Sequence, residues 1–198
     1  LSSLIKKVHR PKLISERLML RLVELTDLSE IHHLHSLPET DAFNTLGIPG
    51  NSLETEVILK KWISDQQQLE IKNYTFLVEH TTTQQFIGLI ALVLGNPKFQ
   101  TGRVWYKLHP SHWNQGFATE ALNSVLNFGF EDLKLHRIEA GCAVDNIGSR
   151  KVLEKVGMSL EGRKRQVLPL KSGWSDNWEY AILETDARLP RATTSKKP

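Results

Sequence analysis

The 198-residue chain is predicted to fold as one α/β or α+β domain, a mixed central sheet of about seven strands flanked by about four helices. Three observations predict it. Apolar residues alternate with period two in some stretches and recur at three- and four-residue steps in others. Those stretches follow the order β-α-α-β-β-β-α-β-α-β-β, and no internal repeat or low-complexity segment interrupts them.

Residues 13–23 place Leu18, Leu20 and Leu22 on one side and Arg17, Met19 and Arg21 on the other, the pattern of a half-buried strand. Thr26 reads as the N-cap of a helix over about 27–36 that stops before Pro38, and residues 41–50 read as loop. Ser52 reads as the cap of a second helix, with Glu54 and Glu56 in its first turn. Strands over 74–79 and 85–94, joined by a polar turn, make a hairpin, and a further strand over 103–108 is stopped by Pro110. Ala118, Ala121, Leu122, Val125, Leu126 and Gly129 then form a helical stripe of about four turns. A strand over 137–144 follows. A short helix over 148–156 ends at Gly157, and two strands over 158–167 and 176–184 complete the frame.

Composition excludes several classes. At 40% hydrophobic and 24% charged residues, the chain is neither disordered nor fibrous, and no run approaches the length of a membrane span. Its pI of about 9.0 suggests nucleic acid until the charge is located. Lys6, Lys7, Arg10 and Lys12 lie in a leader at 1–12, and Arg188, Arg191, Lys196 and Lys197 in a tail at 187–198. Between them, residues 13–187 hold 17 basic and 22 acidic residues, a net of −5. The domain over 13–186 is therefore acidic, and no DNA partner is expected. The one cysteine, Cys142, allows no internal disulfide and leaves no thiol-based zinc site; with no apolar leader block, a cytoplasmic location is expected.

Two stretches carry chemistry. In the first, Tyr106 to Leu122, a strand passes through a turn holding Pro110 and Gly116 into a long helix. The amides of Asn114, Gln115, Gly116, Phe117, Ala118 and Thr119 can form an anion cradle, because first-turn amides lack partners within their own helix. An ordinary tight turn is the bland alternative. The turn is no Walker loop, since no Lys-Ser/Thr pair follows it. The second stretch, Glu139 to Met158, contains Asp145-Asn146, Ser149 and Leu153-Glu154-Lys155-Val156-Gly157. Together they resemble the acetyl-CoA motifs of the GNAT N-acetyltransferases, within them the branch that acetylates ribosomal-protein N-termini. Trp113-Asn-Gln-Gly-Phe-Ala118 is similar to the first motif, with Trp113 leading as in that branch, and Gly173 to Leu183 and Glu16 to Arg21 resemble its last and first strands.

The resemblance implies acetyl-CoA as cosubstrate, with no metal. It implies that backbone groups near Leu108 and His109 pair with the pantetheine arm and that Asn146 hydrogen-bonds that arm, its bland role being a helix cap. Where many members place a thiolate-protonating Tyr, this chain has Leu153, and Ser149 offers the branch's hydroxyl instead, stabilising the developing thiolate. Asn146 and Ser149 are thus the catalytic candidates. Trp105 replaces the usual Gly, an expected intruder on the acceptor pocket, and Met158 stands where Phe is usual. A Glu common near Leu168-Pro169 is missing.

Other side chains are weighed against bland roles. Cys142 shares a strand face with Ile138, Ala140 and Val144, as a small core residue would, though it can also line the acetyl site. Glu79, Glu139, Asp176 and Glu179 are the strand carboxylates that can take a proton, and ordinary surface pairing explains each. His32, His33 and His35 lack the partners that a metal needs, while His109 and His112 flank the cofactor turn. The expected acceptor is a primary amine, either a ribosomal-protein N-terminus or a small amine. An α-amine, with a pKa of about 8, is favoured, because a lysine amine near 10.4 needs a strong base that the motifs do not supply. A CoA-binding module without turnover is the rival from another class.

Overall fold

A computed structural model describes residues 10–186. Its strands are β1 (Lys12–Ile14), β2 (Leu18–Leu22), β3 (Asn73–His80), β4 (Phe86–Leu94), β5 (Thr101–Leu108), β6 (Arg137–Ala143), β7 (Ser159–Leu170) and β8 (Gly173–Leu183). Its α-helices are α1 (Leu28–Ser36), α2 (Pro38–Asp41), α3 (Ser52–Gln66), α4 (Phe117–Asn127) and α5 (Ile147–Lys155). All eight strands join one sheet in the order β1-β2-β3-β4-β5-β6-β8-β7. β5 and β6 run parallel, and the other neighbours run antiparallel.

This is the expected α/β frame with one more strand and one more helix. The run over 13–23 is broken by a turn in which the Ser15 amide donates to the Leu18 carbonyl at 2.9 Å, so it folds back on itself as β1 and β2. Pro38 does end α1, as expected, but it also starts α2, since proline's fixed φ suits a first helical position. Two caps also differ from expectation. Asn51, not Ser52, caps α3, its Oδ1 accepting from the Leu53 and Glu54 amides at 3.0 and 3.2 Å. Thr26 lies in a 3-10 turn ahead of α1, where Asp27 accepts from the Glu24 amide at 2.7 Å. Gly157 ends α5 with φ +90°, as its position predicts.

The sheet separates two apolar layers. On one face, Leu18, Leu20, Phe76, Ile90, Leu92, Val104, Ile138 and Tyr180 pack with Ala121, Leu122 and Val125 of α4 and Leu153 of α5. On the other, Val23, Leu77 and Leu89 pack with Ile31 and Leu34 of α1 and Leu59 of α3. Among the described residues, no helix is long and apolar enough to cross a membrane.

Candidate active site

The site begins with a fault in the sheet. β5 and β6 pair only from Thr101 opposite Arg137 to Val104 opposite Ala140, yet β5 continues to Leu108 and β6 to Ala143. β4 meanwhile stays paired with β5 as far as Leu108. The His109 amide donates to Ile87 on the β4 side at 2.9 Å, so strand alternation turns the amides of Tyr106 and Leu108 toward the gap. An extended chain laid into the gap would find an unpaired strand edge.

Next to the gap, α4 starts at Gly116, whose φ of +82° is a left-handed conformation that glycine adopts without penalty. The amides of Phe117, Ala118 and Thr119 begin the helix, and the first helical bond runs from the Glu120 amide to the Gly116 carbonyl at 3.0 Å. Arg17 braces this turn. Its guanidinium donates to the Gln115 carbonyl at 3.1 Å, stacks 4.5 Å over the Phe117 ring and pairs with Glu120 at 2.7 Å. Burial raises the pKa of Glu120, but the Arg17 amide, the Ser15 hydroxyl and the Arg17 guanidinium outweigh it and hold the carboxyl below its usual range.

Across the gap, Asn146 caps α5 by accepting from the Ser149 amide at 3.0 Å. The Ser149 hydroxyl lies 2.7 Å from the phenol oxygen of Tyr106. Burial pushes the Tyr106 pKa far above that of an ordinary phenol, a rise that the Ser149 hydrogen bond only partly offsets, so the pair is neutral. Cys142, 6% exposed, has its thiol raised to about 11 by burial and is a poor nucleophile at neutral pH.

A cavity of about 610 Å³ joins these parts. Of the residues singled out by sequence, it is lined by Leu108, Asn114, Gly116, Phe117, Ala118, Thr119, Asn146 and Ser149. His109 and Gln115 do not line it: the His109 amide is engaged with Ile87, its ring stacks on His33 at 5.5 Å, and the Gln115 side chain donates to the Ser111 carbonyl. Trp105 is not an intruder either; it packs against Trp62 of α3 at 5.6 Å. The four strand carboxylates are ion-paired away from the cavity, Glu79 with Arg21, Glu139 with Arg137, Asp176 with Arg163 and Glu179 with Arg103. His112 does line it, buried enough that its pKa falls. No cluster of three or more His, Cys, Asp or Glu suited to a metal occurs among the described residues.

Of the lining residues not singled out from the sequence, two stand on β5 at the gap. Tyr106 was signalled only by alternation, which puts it on the face of Val104 and Leu108, toward α5. Lys107 was signalled by a charge between Tyr106 and Leu108 at the apolar end of β5; it is 6% exposed.

A domain model described as "Acetyltransferase (GNAT) domain" matches residues 17–159. The probable N-acetyltransferase YjcK of Bacillus subtilis is 34% identical over 84% of this chain and 93% of its own length. A ribosomal-protein-serine acetyltransferase of Escherichia coli is 26% identical over 85% of this chain and 93% of its own length. Among solved structures, a GNAT-family acetyltransferase from Bacillus anthracis superposes with a TM-score of 0.77 at 29% identity, over 89% of this chain and all of that one. Spermidine N-acetyltransferase from Vibrio cholerae, in complex with CoA and spermine, does so with a TM-score of 0.77 at 26% identity, over 86% of this chain and 97% of that one.

Proposed function

Since the chain belongs to the GNAT acetyltransferase family and is therefore an N-acetyltransferase, we propose that it carries acetyl from acetyl-CoA to the α-amino group of a protein or peptide, directly and without an acetyl-enzyme intermediate. The observation that carries this reading is the parting of β5 from β6 beside the Gly116 turn, since both border one cavity. Backbone amides at the start of α4 suit a pyrophosphate, and the open edge at Tyr106 and Leu108 suits an amide-bearing arm. Acetyl-CoA supplies an activated acyl group with a thiolate leaving group.

The chain's own residues supply orientation and charge stabilisation. The Tyr106 and Leu108 amides can fix the arm and polarise the thioester carbonyl. The Tyr106 phenol and Ser149 hydroxyl, 2.7 Å apart, can share their hydrogen bonds with the charge that develops on sulfur. Asn146 holds Ser149 in place through the α5 cap, so its capping and functional roles are compatible.

The lining of the acceptor side supports a peptide over a polyamine. Over the whole cavity the carboxylates Glu39 and Asp145 are matched by Lys151 and Lys155, so the lining has no acidic excess to collect a polycation. Phe43, at the cavity, belongs to a loop that also exposes Leu46 and Ile48, apolar surface suited to residues following an N-terminus. A ribosomal protein is a suitable acceptor on this reading. The test is to give the enzyme acetyl-CoA with peptides carrying free α-amines, peptides carrying only lysine amines, and spermidine. Thiol release and mass mapping should place acetyl on α-nitrogen. Acetylation confined to lysine ε-amines or to spermidine would overturn the choice of acceptor.

A further inference from the structure

Successive residues of β5 face opposite sides of the sheet, and at the gap this sends two functional side chains in opposite directions. Tyr106 points toward α5 and meets Ser149. Lys107 follows Trp105 to the other face, toward α1 and α2. There its Nζ is buried and finds no hydrogen-bond partner among the described residues. The same holds for Oδ1 of Asp41 in α2 and Nδ1 of His35 in α1, both within electrostatic reach of Lys107. Lys107 lines the cavity together with Glu39, Thr40, Phe43 and Asn44, the segment that borders its acceptor side.

Buried polar groups nearly always have partners, and an amine without one is costly as structure alone. We propose that Lys107 is the base that relieves the acceptor amine of its proton, with Asp41 matching the charge that Lys107 gains. The proposal rests on the acetyl-transfer reading of the same cavity. The acceptor ammonium passes its first proton to the neutral Lys107 amine, which releases it to solvent. The freed nitrogen pair forms the C–N bond. The C–S bond then breaks with its electrons on sulfur, the second N–H proton leaves nitrogen for water, and the thiolate takes one proton from water to leave as the CoA thiol.

The surroundings suit this cycle. Burial lowers the Lys107 pKa to about 8, with Asp41 opposing the fall, close to the value of an α-amine. Burial takes His35 down to about 4, with Lys107 and His32 adding to the fall, so His35 stays neutral throughout. β4 places the uncharged Leu89 opposite Lys107, and Glu39 of α2 is the remaining carboxylate at this end of the cavity.

The test uses the full-length enzyme, acetyl-CoA and an α-amine peptide. Lys107→Met should lower kcat at pH 7 about 100-fold, leave the acetyl-CoA dissociation constant within twofold, and hold or raise Tm because a buried amine is removed. Lys107→Arg should be equally slow, since a guanidinium does not give up its proton. In carbon-13-labelled lysine NMR, the resonance missing from Lys107→Met should titrate near pH 8 in the wild type and lower in Asp41→Asn, where the stabilising carboxylate is gone. A Lys107→Met enzyme that keeps more than half of kcat, or a Lys107 that titrates with ordinary lysines above pH 10, overturns the proposal. Should the wild type acetylate spermidine and no peptide, only the acceptor reading falls, and the same substitutions read on spermidine decide the role of Lys107.

Discussion

Ser149 and Tyr106, 43 positions apart in sequence, bring their oxygens within 2.7 Å, and under the proposed function the two hydroxyls share one task. Ser149→Ala removes the hydroxyl nearest the expected sulfur while leaving the amide that Asn146 caps. We expect kcat to fall about ten- to a thousandfold with acetyl-CoA affinity nearly constant, as for a contact that forms mainly in the transition state. Tyr106→Phe should cost less by itself, and the double substitution less than the sum of the two, because each hydroxyl orients the other. Steady-state kinetics with calorimetric titration read both; a loss of affinity alone would make Ser149 a binding residue. That Asn146, Ser149 and Gly116 border one cavity could be anticipated from the sequence because their motifs are local. The hydrogen bond of Tyr106 with Ser149 and the electrostatic influence of Asp41 on Lys107 could not, since each arises only when β5 meets α5 or α2.

At the scale of elements, the turn into α4 holds its shape through backbone conformation and the Arg17 brace rather than through side chains facing the cavity. Gly116→Val forces a β-branched residue to φ +82° and should weaken acetyl-CoA binding at least tenfold by calorimetry, whereas Gln115→Ala, which loses only its bond to Ser111, should be mild. Equal small effects would place the phosphates elsewhere. The brace also sets a pH dependence. The Glu120 carboxyl titrates lower when folded than its unfolded value of about 4.3. Its stabilisation is therefore present above that value and lost as pH falls through the folded pKa. The Tm gap between wild type and Glu120→Gln should be widest near neutrality and close below about pH 4. Most elements could be read from periodicity. β1 and α2 could not: three and four residues are too short to show a period, and their existence depends on a turn at Ser15 and a proline at a helix start.

Across the whole molecule, helices cover both faces of the sheet from β2 to β5, so the central strand β4 is buried on both sides and reads as an almost unbroken apolar run. The far strands β6, β8 and β7 instead carry an ionic ladder on one face, in which Arg137 and Lys164, with Arg103 of β5, meet Glu139, Glu179 and Glu161, while Arg163 pairs with Asp176 on the other face beside Trp178. The strand carboxylates are engaged as ordinary surface pairing predicts, but the partners of Glu79, Asp176 and Glu179 come from other strands and could not be named from local sequence, whereas Glu139 also meets Arg137 two residues away on its own strand. The acidic balance of residues 13–187 was visible from composition, while the basic tail beyond 186 lies outside the described residues.

The four-residue seam between β5 and β6 makes the sheet a zipper closed only partway. A guest that slips into the open teeth would finish the fastening and tie the two halves together. Acetyl-CoA should then act as a folding ligand as well as a reagent, adding about 2.7 kcal/mol of stability at a hundred times its dissociation constant. Hydrogen exchange locates the effect: the Tyr106 and Leu108 amides should exchange quickly in the free protein and slowly once acetyl-CoA is bound, while Lys107, already bonded to β4, changes little. Equal protection before and after binding would mean that the guest lies outside the seam.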